Sequence, residues 1–350
     1  MRSRHASLRV VVVVSAVCVA DAAAHHSFAP HFDASKQVSI EGTVTQYEQR
    51  NPHSYLHLSA VDENGRTREY VCESHGVTQL TRNGIRPDMF KAGTRVRITG
   101  SASRHSPYMC FFDSVEFADG RKLSVNGPTG AARAATTAAA ARKDIFGVWL
   151  QAPIPGRSTS GPQPMMQFLT PAAQKAVAAY DPFRDDPTFR CDPVGVRRVW
   201  GAPGTPLEIR RDGKDIVLRH EWMDVRRVVH MNLKAHPSGG ARSSLGHSIG
   251  RFEGDTLVIE TANFAPGVLN QYVEQPGQPT RGLLHSAALR SVERLRVDPA
   301  RQRLVVEIDL VDPDFFTQPF PRATYEYAPS DLKIEPFGCL PADVNGRLRK

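Results

Sequence analysis

Short runs of alternating apolar and polar residues, separated by turn residues, recur along this chain. Residues 38–49 (VSIEGTVTQYEQ) alternate, Asp212 and Gly213 separate LEIRR from KDIVLRHEW, and Gly254 lies between GRF and TLVIETANF. A period of two places successive side chains on opposite faces of a strand, and tight turns between such runs are typical of antiparallel hairpins. The 26 glycines and 26 prolines agree with a turn-rich chain. The sequence therefore predicts a mainly β protein.

An alanine-rich segment at residues 126–143 divides the strand-forming parts of the chain. It has low complexity and no hydrophobic face, as linkers do. We therefore predict two domains, at residues 25–125 and 144–345. The first has five short strands with one short helix near residues 77–83, which predicts an OB-type five-stranded barrel. The second has many antiparallel strands and predicts a larger lipocalin-like barrel, with a sandwich as the alternative.

Residues 1–24 have the pattern of a secretory signal peptide. Arg2, Arg4 and Arg9 precede a short apolar run at residues 10–20, and small residues follow up to Ala24. We predict cleavage after Ala24 and a periplasmic or secreted product. No apolar run approaches the ~20 residues of a membrane-spanning helix. We therefore expect no transmembrane anchor in the mature chain.

The charge pattern argues against a nucleic-acid partner. The formal net charge is +8, but part of it lies in the signal segment and in the linker. Basic residues are therefore not concentrated on one folded face, as a nucleic-acid site requires. The chain also has no GxSxG elbow, P-loop or GxGxxG motif, which leaves a serine hydrolase or a dinucleotide enzyme without support.

Four cysteines remain after the predicted cleavage, none of them in a CxxC pair. An even number of cysteines in an exported chain indicates disulfides rather than a zinc or redox site. Three pairings are possible, and one of them keeps each bridge inside one domain. We predict that pairing, which joins Cys72 to Cys110 and Cys191 to Cys339.

Two groups of motifs resemble known families. The segment HHSFAPHFDASKQVSIEGTVTQYEQRNPHSYLHL, with DGRKLSV further on, resembles exported bacterial proteins of unknown function whose mature chains begin with HHSF. The motifs FGVW, RCDPVG, GHSIGRFEGDTLVIETANF and LHSAALRSVERLRVD resemble a second uncharacterised exported family, often fused to the first. The resemblance implies export and the same domain division, and it brings no agreed activity. Cys72 stands where it implies an apolar or aromatic residue.

The predicted mature N-terminus is a candidate metal site. His25 would carry both an α-amine and an imidazole, and His26 follows it. A third imidazole, for which we name His53, would complete a nitrogen set that suits copper. Against this, the HHSF segment has a plain structural alternative, in which it packs on the barrel. Further histidines of the same domain are available, namely His31, His57, His75 and His105.

Polar residues on apolar strand faces form the second candidate site. His220 shares a face with Ile216 and Leu218, and Glu293 shares one with Leu295. An acid and an imidazole that project into a barrel interior can bind a ligand or act as a general acid and base. The structural alternative is a buried ion pair of Glu293 with Arg227 or Arg290. We place His247 and His285 at the mouth of the same barrel, so the predicted ligand site comprises His220, Glu293, His247 and His285.

These features together predict an exported two-domain β protein that binds a small organic ligand in its larger barrel. One alternative is a copper-binding protein, or a copper-dependent enzyme, that uses the mature N-terminal histidine. A second alternative is an interaction module with a protein partner in the cell envelope. Neither the ligand nor an enzymatic reaction follows from the sequence.

Overall fold

The fold was analysed in a computed structural model that describes residues 31–125, 141–152, 164–201, 204–272 and 281–341. The predicted signal segment, His25, His26 and most of the linker lie outside these ranges. The described chain is mainly β, as predicted. No helix in these ranges is long and apolar enough to span a membrane.

The first sheet is built from alternating segments near the start of the chain. Its strands are β1 (Phe32–Glu48), β2 (His53–Val61), β3 (Thr67–His75), β4 (Arg95–Ser103), β5 (Met109–Phe117) and β6 (Lys122–Ser124). The order is β3-β2-β1-β4-β5-β6, and β3 also pairs in parallel with β5, so the first five strands form a closed ring of pairings. A short helix, α1 (Val77–Arg82), connects β3 to β4. The OB-type assignment stays a prediction.

A compact apolar core fills the ring of the first sheet. Leu56, Leu58, Ile98 and Phe112 are fully buried, as expected for alternate residues on the inner faces of paired strands. The disulfide between Cys72 and Cys110 joins residues that face each other across the β3–β5 pairing. It therefore covalently fixes the pairing that closes the ring.

The second sheet is a closed barrel with the order β10-β11-β12-β15-β16-β17-β7-β8-β9. Its strands in chain order are β7 (Gly147–Ala152), β8 (Pro206–Asp212), β9 (Asp215–His220), β10 (Arg226–His230), β11 (His247–Glu253), β12 (Thr256–Ala262), β15 (Arg290–Asp298), β16 (Arg303–Val311) and β17 (Ala323–Pro329). A separate hairpin consists of β13 (Gly267–Tyr272) and β14 (Arg281–His285). Of the two predicted architectures, barrel or sandwich, the chain adopts the barrel.

One pairing of the second barrel departs from the predicted antiparallel order. Strands β10 and β11 run parallel, with Val229 opposite Ser248. A parallel connection must carry the chain back along the sheet, which takes a dozen or more residues. The long connection between His230 and His247 provides this length, and it shapes the site described below.

Short helices pack around the second barrel. They are α2 (Pro171–Ala178), α3 (Pro182–Asp185) and α4 (Val196–Trp200). The Thr170 side chain caps α2 by accepting a hydrogen bond from the Ala173 backbone N–H, as the sequence TPAA favours. The α4 helix contributes Trp200, which is fully buried in the core of the second barrel.

The C-terminal segment lies between the two barrels. The disulfide between Cys191 and Cys339 fixes it to the second domain. Both predicted disulfide pairings are thus confirmed. On the first domain, Asn51 accepts a hydrogen bond from the Leu340 backbone N–H at 2.8 Å. The Glu221 side chain, fully buried at the same interface, forms an ion pair with Arg82 of α1.

Candidate functional site

Glu293 lies in the interior of the second barrel, where its carboxylate is fully paired. Arg227 of β10 donates to both oxygens of this carboxylate, at 2.9 and 2.7 Å. Trp200 donates its indole N–H to Oε2 at 2.7 Å. Buried charges are tolerated when they are paired and hydrogen-bonded in this way. Of the two possible cations named from the sequence, Arg227 and not Arg290 is the partner of Glu293, as in the structural alternative of a buried ion pair.

His220 is buried beside this ion pair but does not hydrogen-bond to Glu293. Its ring meets the Trp200 ring edge-on, with centroids 5.1 Å apart. Burial lowers the pKa of His220 to about 3, and the positive charge of Arg227 acts in the same direction. The Nε2 atom makes no hydrogen bond to the described residues. The acid–imidazole pair that the sequence suggested is therefore not formed by direct contact.

A cleft of about 220 Å³ opens on the same barrel where β10 and β11 run parallel. Arg227 and Ser248 form its inner part, and the two are joined by a hydrogen bond of 3.2 Å. His247, a predicted ligand-binding residue, lines it together with His230. The remaining lining residues come from β10 and from the connection to β11, namely Arg226, Val228, Ser243, Leu245 and Gly246.

Three imidazoles gather at the rim of this cleft. The Nδ1 atoms of His236 and His247 lie 3.0 Å apart. The ring of His230 stacks on that of His247, with centroids 5.0 Å apart and planes inclined by 23°. The Nδ1 of His230 lies 3.1 Å from a carboxylate oxygen of Asp215. We call these three residues the histidine cluster.

The electrostatics around His236 and His247 favour neutral rings. Burial lowers the pKa of His247, and the neighbouring His230 and His236 lower it further. Burial also lowers the pKa of His236, with Arg290 acting in the same direction and Glu260 opposing it. At neutral pH these two rings therefore carry lone pairs that can accept a hydrogen bond or bind a metal ion.

His285 does not join the cleft. It ends strand β14 of the separate hairpin and is buried against Phe264, with ring centroids 5.9 Å apart. Its Nδ1 donates to the backbone carbonyl of Ser286 at 2.9 Å. This fixed arrangement is that of a packed core histidine. Of the predicted set of His220, Glu293, His247 and His285, only His247 lines the cleft.

A second group of histidines lies on the first barrel, close to where the described chain begins. His53 forms an ion pair with Glu73, and this carboxylate outweighs burial and raises the pKa of His53. His31 lies edge-on to His105, with centroids 5.7 Å apart, and burial lowers its pKa to about 4, although Glu73 opposes this shift. His75 is the cross-strand neighbour of His53. His57 pairs instead with Glu48 and Glu69.

The predicted copper ligands His25 and His26 lie outside the described residues. Within the described ranges, no three or more His, Cys, Asp or Glu side chains are already arranged around one metal position. The first-barrel group therefore has the right residue types near the predicted N-terminus but no complete site in the described part of the chain.

Comparisons with known proteins add little to this picture. A model of a family of unknown function (DUF6152) matches residues 12–109, which end at the first residue of β5. No curated protein matches the chain. A ZRD-deleted mutant of TiaS, solved as a crystal structure in complex with agmatine, is 17% identical over 25% of this chain and 26% of that one, with a TM-score of 0.20. The chain thus spans about a quarter of that protein's length.

The sequence identifies His247 and the two possible partners of Glu293, but it does not reveal the cleft. His230 is the last residue of the strand RRVVH, and His236 lies in the connection that follows. Only the parallel pairing of β10 with β11 brings these two residues next to His247. The one available signal was the long gap of 16 residues that lie between His230 and the next alternating run, which begins at His247.

Proposed function

We propose that this chain is an exported binding protein whose second barrel holds a small organic anion in the cleft between β10 and β11. The lining of the cleft carries this proposal. Two arginines, two histidines and two serines line it, and its described lining contains no carboxylate. A group of hydrogen-bond donors with no carboxylate among the lining side chains is an environment that binds a carboxylate or a similar anion.

The positions of the donors support recognition by hydrogen bonds rather than by net charge. Glu293 neutralises Arg227, and Asp212 lies 3.2 Å from the Arg226 guanidinium. Arg227 is held rigidly because Ser248 and Thr261 also accept hydrogen bonds from it. A preorganised donor loses little entropy when it binds a ligand.

The size of the cleft limits the ligand. Its volume of about 220 Å³ is below the roughly 300–1,000 Å³ of sites for drug-sized molecules. We therefore infer a small acid rather than a lipid or an oligosaccharide. Export is part of the same proposal, and the two disulfides support it because such bonds persist in oxidising compartments.

The test is to block the cleft by size. Leu245→Trp places an indole in the lining, whereas Leu233→Trp adds the same group at an exposed position outside the lining. Wild-type protein and both variants are titrated calorimetrically with acetate, oxalate, malonate and succinate. We expect saturable binding of at least one acid by the wild type and by Leu233→Trp, and at least tenfold weaker binding by Leu245→Trp.

Absence of binding by the wild type, or equal binding by both tryptophan variants, would contradict the proposal. Native mass spectrometry of protein recovered from the periplasm adds an independent reading. A retained small molecule should be present in the wild type and absent from Leu245→Trp.

A copper site at the mature N-terminus is a second candidate. It is supported by four histidines of the first barrel: His53 pairs with Glu73, His75 lies opposite His53 on the neighbouring strand, and His31 lies edge-on to His105. The test compares Cu²⁺ binding by protein that begins at His25 with binding by protein that carries one extra alanine before His25. Chelation by the α-amine and imidazole of His25 predicts a loss of at least tenfold in affinity in the extended form, and equal affinities would overturn this candidate.

A further inference from the structure

We propose that His236 and His247 form a binding site for a divalent transition metal ion at the rim of the second barrel, with Cu²⁺ the preferred ion. This site differs from the predicted N-terminal copper site, and it does not depend on anion binding in the cleft. The observations that carry it are the spacing of the two ring nitrogens, their access to solvent, the fixed backbone around them and the partner of a third imidazole.

The spacing of the two Nδ1 atoms matches that of two ligands on one ion. They lie 3.0 Å apart. Two imidazole nitrogens bound at about 2.0–2.1 Å and at an angle near 90° are about 2.9 Å apart. Angles near 90° are those of tetragonal Cu²⁺ and Ni²⁺ sites, and divalent copper has the highest affinity of its series for nitrogen ligands.

The backbone on either side of the pair is held in place. Asn263 donates its side-chain amide to the carbonyl of Pro237, directly after His236, at 3.1 Å. Gly246 precedes His247 with φ of 65°, and a Cβ there would lie 2.6 Å from the carbonyl oxygen of Ala262. Only glycine therefore fits before His247. Both rings are partly exposed, so an ion can reach them from solvent.

His230 is placed as a third ligand. Its Nδ1 lies 3.1 Å from a carboxylate oxygen of Asp215, which favours the tautomer that donates from Nδ1 and directs Nε2 away from this carboxylate. A carboxylate that orients an imidazole in this way is the usual support of a metal-binding histidine. Because His230 stacks on His247, it joins the ion only after rotation of its side chain. The minimal site therefore has two protein ligands and leaves its other positions to water or to a bound anion.

The competing explanation is a hydrogen bond between two neutral rings, in which one Nδ1–H donates to the other Nδ1. It accounts for the same distance of 3.0 Å without any metal. The two explanations differ in one measurable respect. If the pair is only a hydrogen bond, the wild type has no particular affinity for Cu²⁺. If it is a metal site, the wild type binds Cu²⁺, and removal of either ring weakens that binding.

The experiment uses the full mature chain with His25→Ala and His26→Ala, so that the N-terminal candidate site cannot contribute. Cu²⁺ is titrated into this protein by calorimetry, and the bound ion is examined by electron paramagnetic resonance. We expect one equivalent of Cu²⁺ with hyperfine coupling to at least two nitrogens. His236→Ala and His247→Ala should each weaken binding at least 30-fold, whereas His57→Ala, on the first barrel, should leave it unchanged.

No binding in this background, or binding that both alanine variants retain, would overturn the proposal. Far-ultraviolet circular dichroism and thermal melts show whether the variants fold, which we expect because both rings are at the surface. Leu245→Trp separates this site from the proposed anion site: it should weaken carboxylate binding at least tenfold and leave Cu²⁺ binding unchanged. If the wild type did not bind carboxylates, the proposed anion site would be wrong, and the Cu²⁺ titration would still test the metal site by itself.

Discussion

At the scale of single residues, the interior of the second barrel is decided by one ion pair. Arg227 and Glu293 are both almost completely buried, and their charged groups pair with each other. Bringing two charges out of water is costly, and their mutual attraction and extra hydrogen bonds repay this cost only while both partners are present. Removal of either partner therefore leaves a buried charge without its counterion, and the cost of taking that charge out of water is no longer offset.

We expect Glu293→Gln to lower the free energy of unfolding by about 3–5 kcal/mol, because it leaves the Arg227 guanidinium buried without a counterion. Urea denaturation measures this loss. The matched control is Glu260→Gln on β12, whose partner Arg251 is exposed, and which should cost less than about 1 kcal/mol. Similar losses in the two variants would show that the buried pair has no special role.

The second residue-scale prediction concerns pH. The pKa of His220 is lowered from 6.5 to about 3, so between these values the unfolded chain binds a proton that the folded chain excludes. Stability is therefore complete above pH 6.5 and decreases as pH falls towards 3, by about 2 kcal/mol at pH 5 from this group.

His220→Phe keeps an aromatic ring against Trp200 and removes the titration. Its stability, measured in urea at pH 7 and pH 5, should fall by about 2 kcal/mol less than that of the wild type over this interval. Leu218→Val, on the same strand, is the control: relative to the wild type, its free energy of unfolding should be lower by the same amount at pH 7 and at pH 5. If His220→Phe kept the pH dependence of the wild type, the effect would belong to other groups. His31 is one of these, because burial also lowers its pKa, to about 4.

At the scale of elements, the sequence predicts features that depend on neighbouring residues, such as turns and helix caps. It does not predict features that depend on contacts between distant parts of the chain. The hairpin turns at Gly213 and Gly254 both have φ of 59°, as the turn residues indicate. The N-cap at Thr170 is likewise a local feature, because a threonine followed by proline favours the start of a helix. In contrast, α4 spans only five residues, too few for a helical period to be visible. The β10–β11 pairing is parallel, and no local pattern encodes it.

The candidate site divides in the same way. Burial of His220 and Glu293 follows from strand alternation, and Arg227 follows from the need of a buried acid for a cation. The histidine cluster depends on how a long connection returns to the barrel, which local sequence does not specify. For His285, the position next to predicted strands suggested the barrel mouth. In the structure its strand belongs to the separate hairpin.

At the scale of the whole molecule, the two barrels are joined by specific polar contacts. Arg82 of the first domain donates to both carboxylate oxygens of Glu221, and the Glu335 backbone N–H donates to the same carboxylate at 3.0 Å. The C-terminal segment adds a hydrogen bond between the Asn51 carbonyl and Leu340. From these contacts we expect the two domains to depend on each other for stability.

We expect Arg82→Met to uncouple the two barrels, because Glu221 is fully buried and loses its cation. The cost should be about 3 kcal/mol, and the calorimetric unfolding transition should broaden or separate into two. Arg86→Met is the matched control, since Arg86 and its partner Asp88 are both exposed. Equal melting profiles for the two variants would mean that the barrels unfold independently of this contact.

The bridge between Cys191 and Cys339 has a consequence for proteolysis. It encloses almost all of the second barrel within one covalent loop, with 148 residues separating the two cysteines along the chain. A protease that cuts once inside this loop cannot release a fragment, because both new ends remain attached through the sulfur atoms. The barrel strands on each side of such a cut stay paired and concentrated next to each other. We therefore expect the second domain to retain its structure after a single cleavage, for as long as its surroundings remain oxidising.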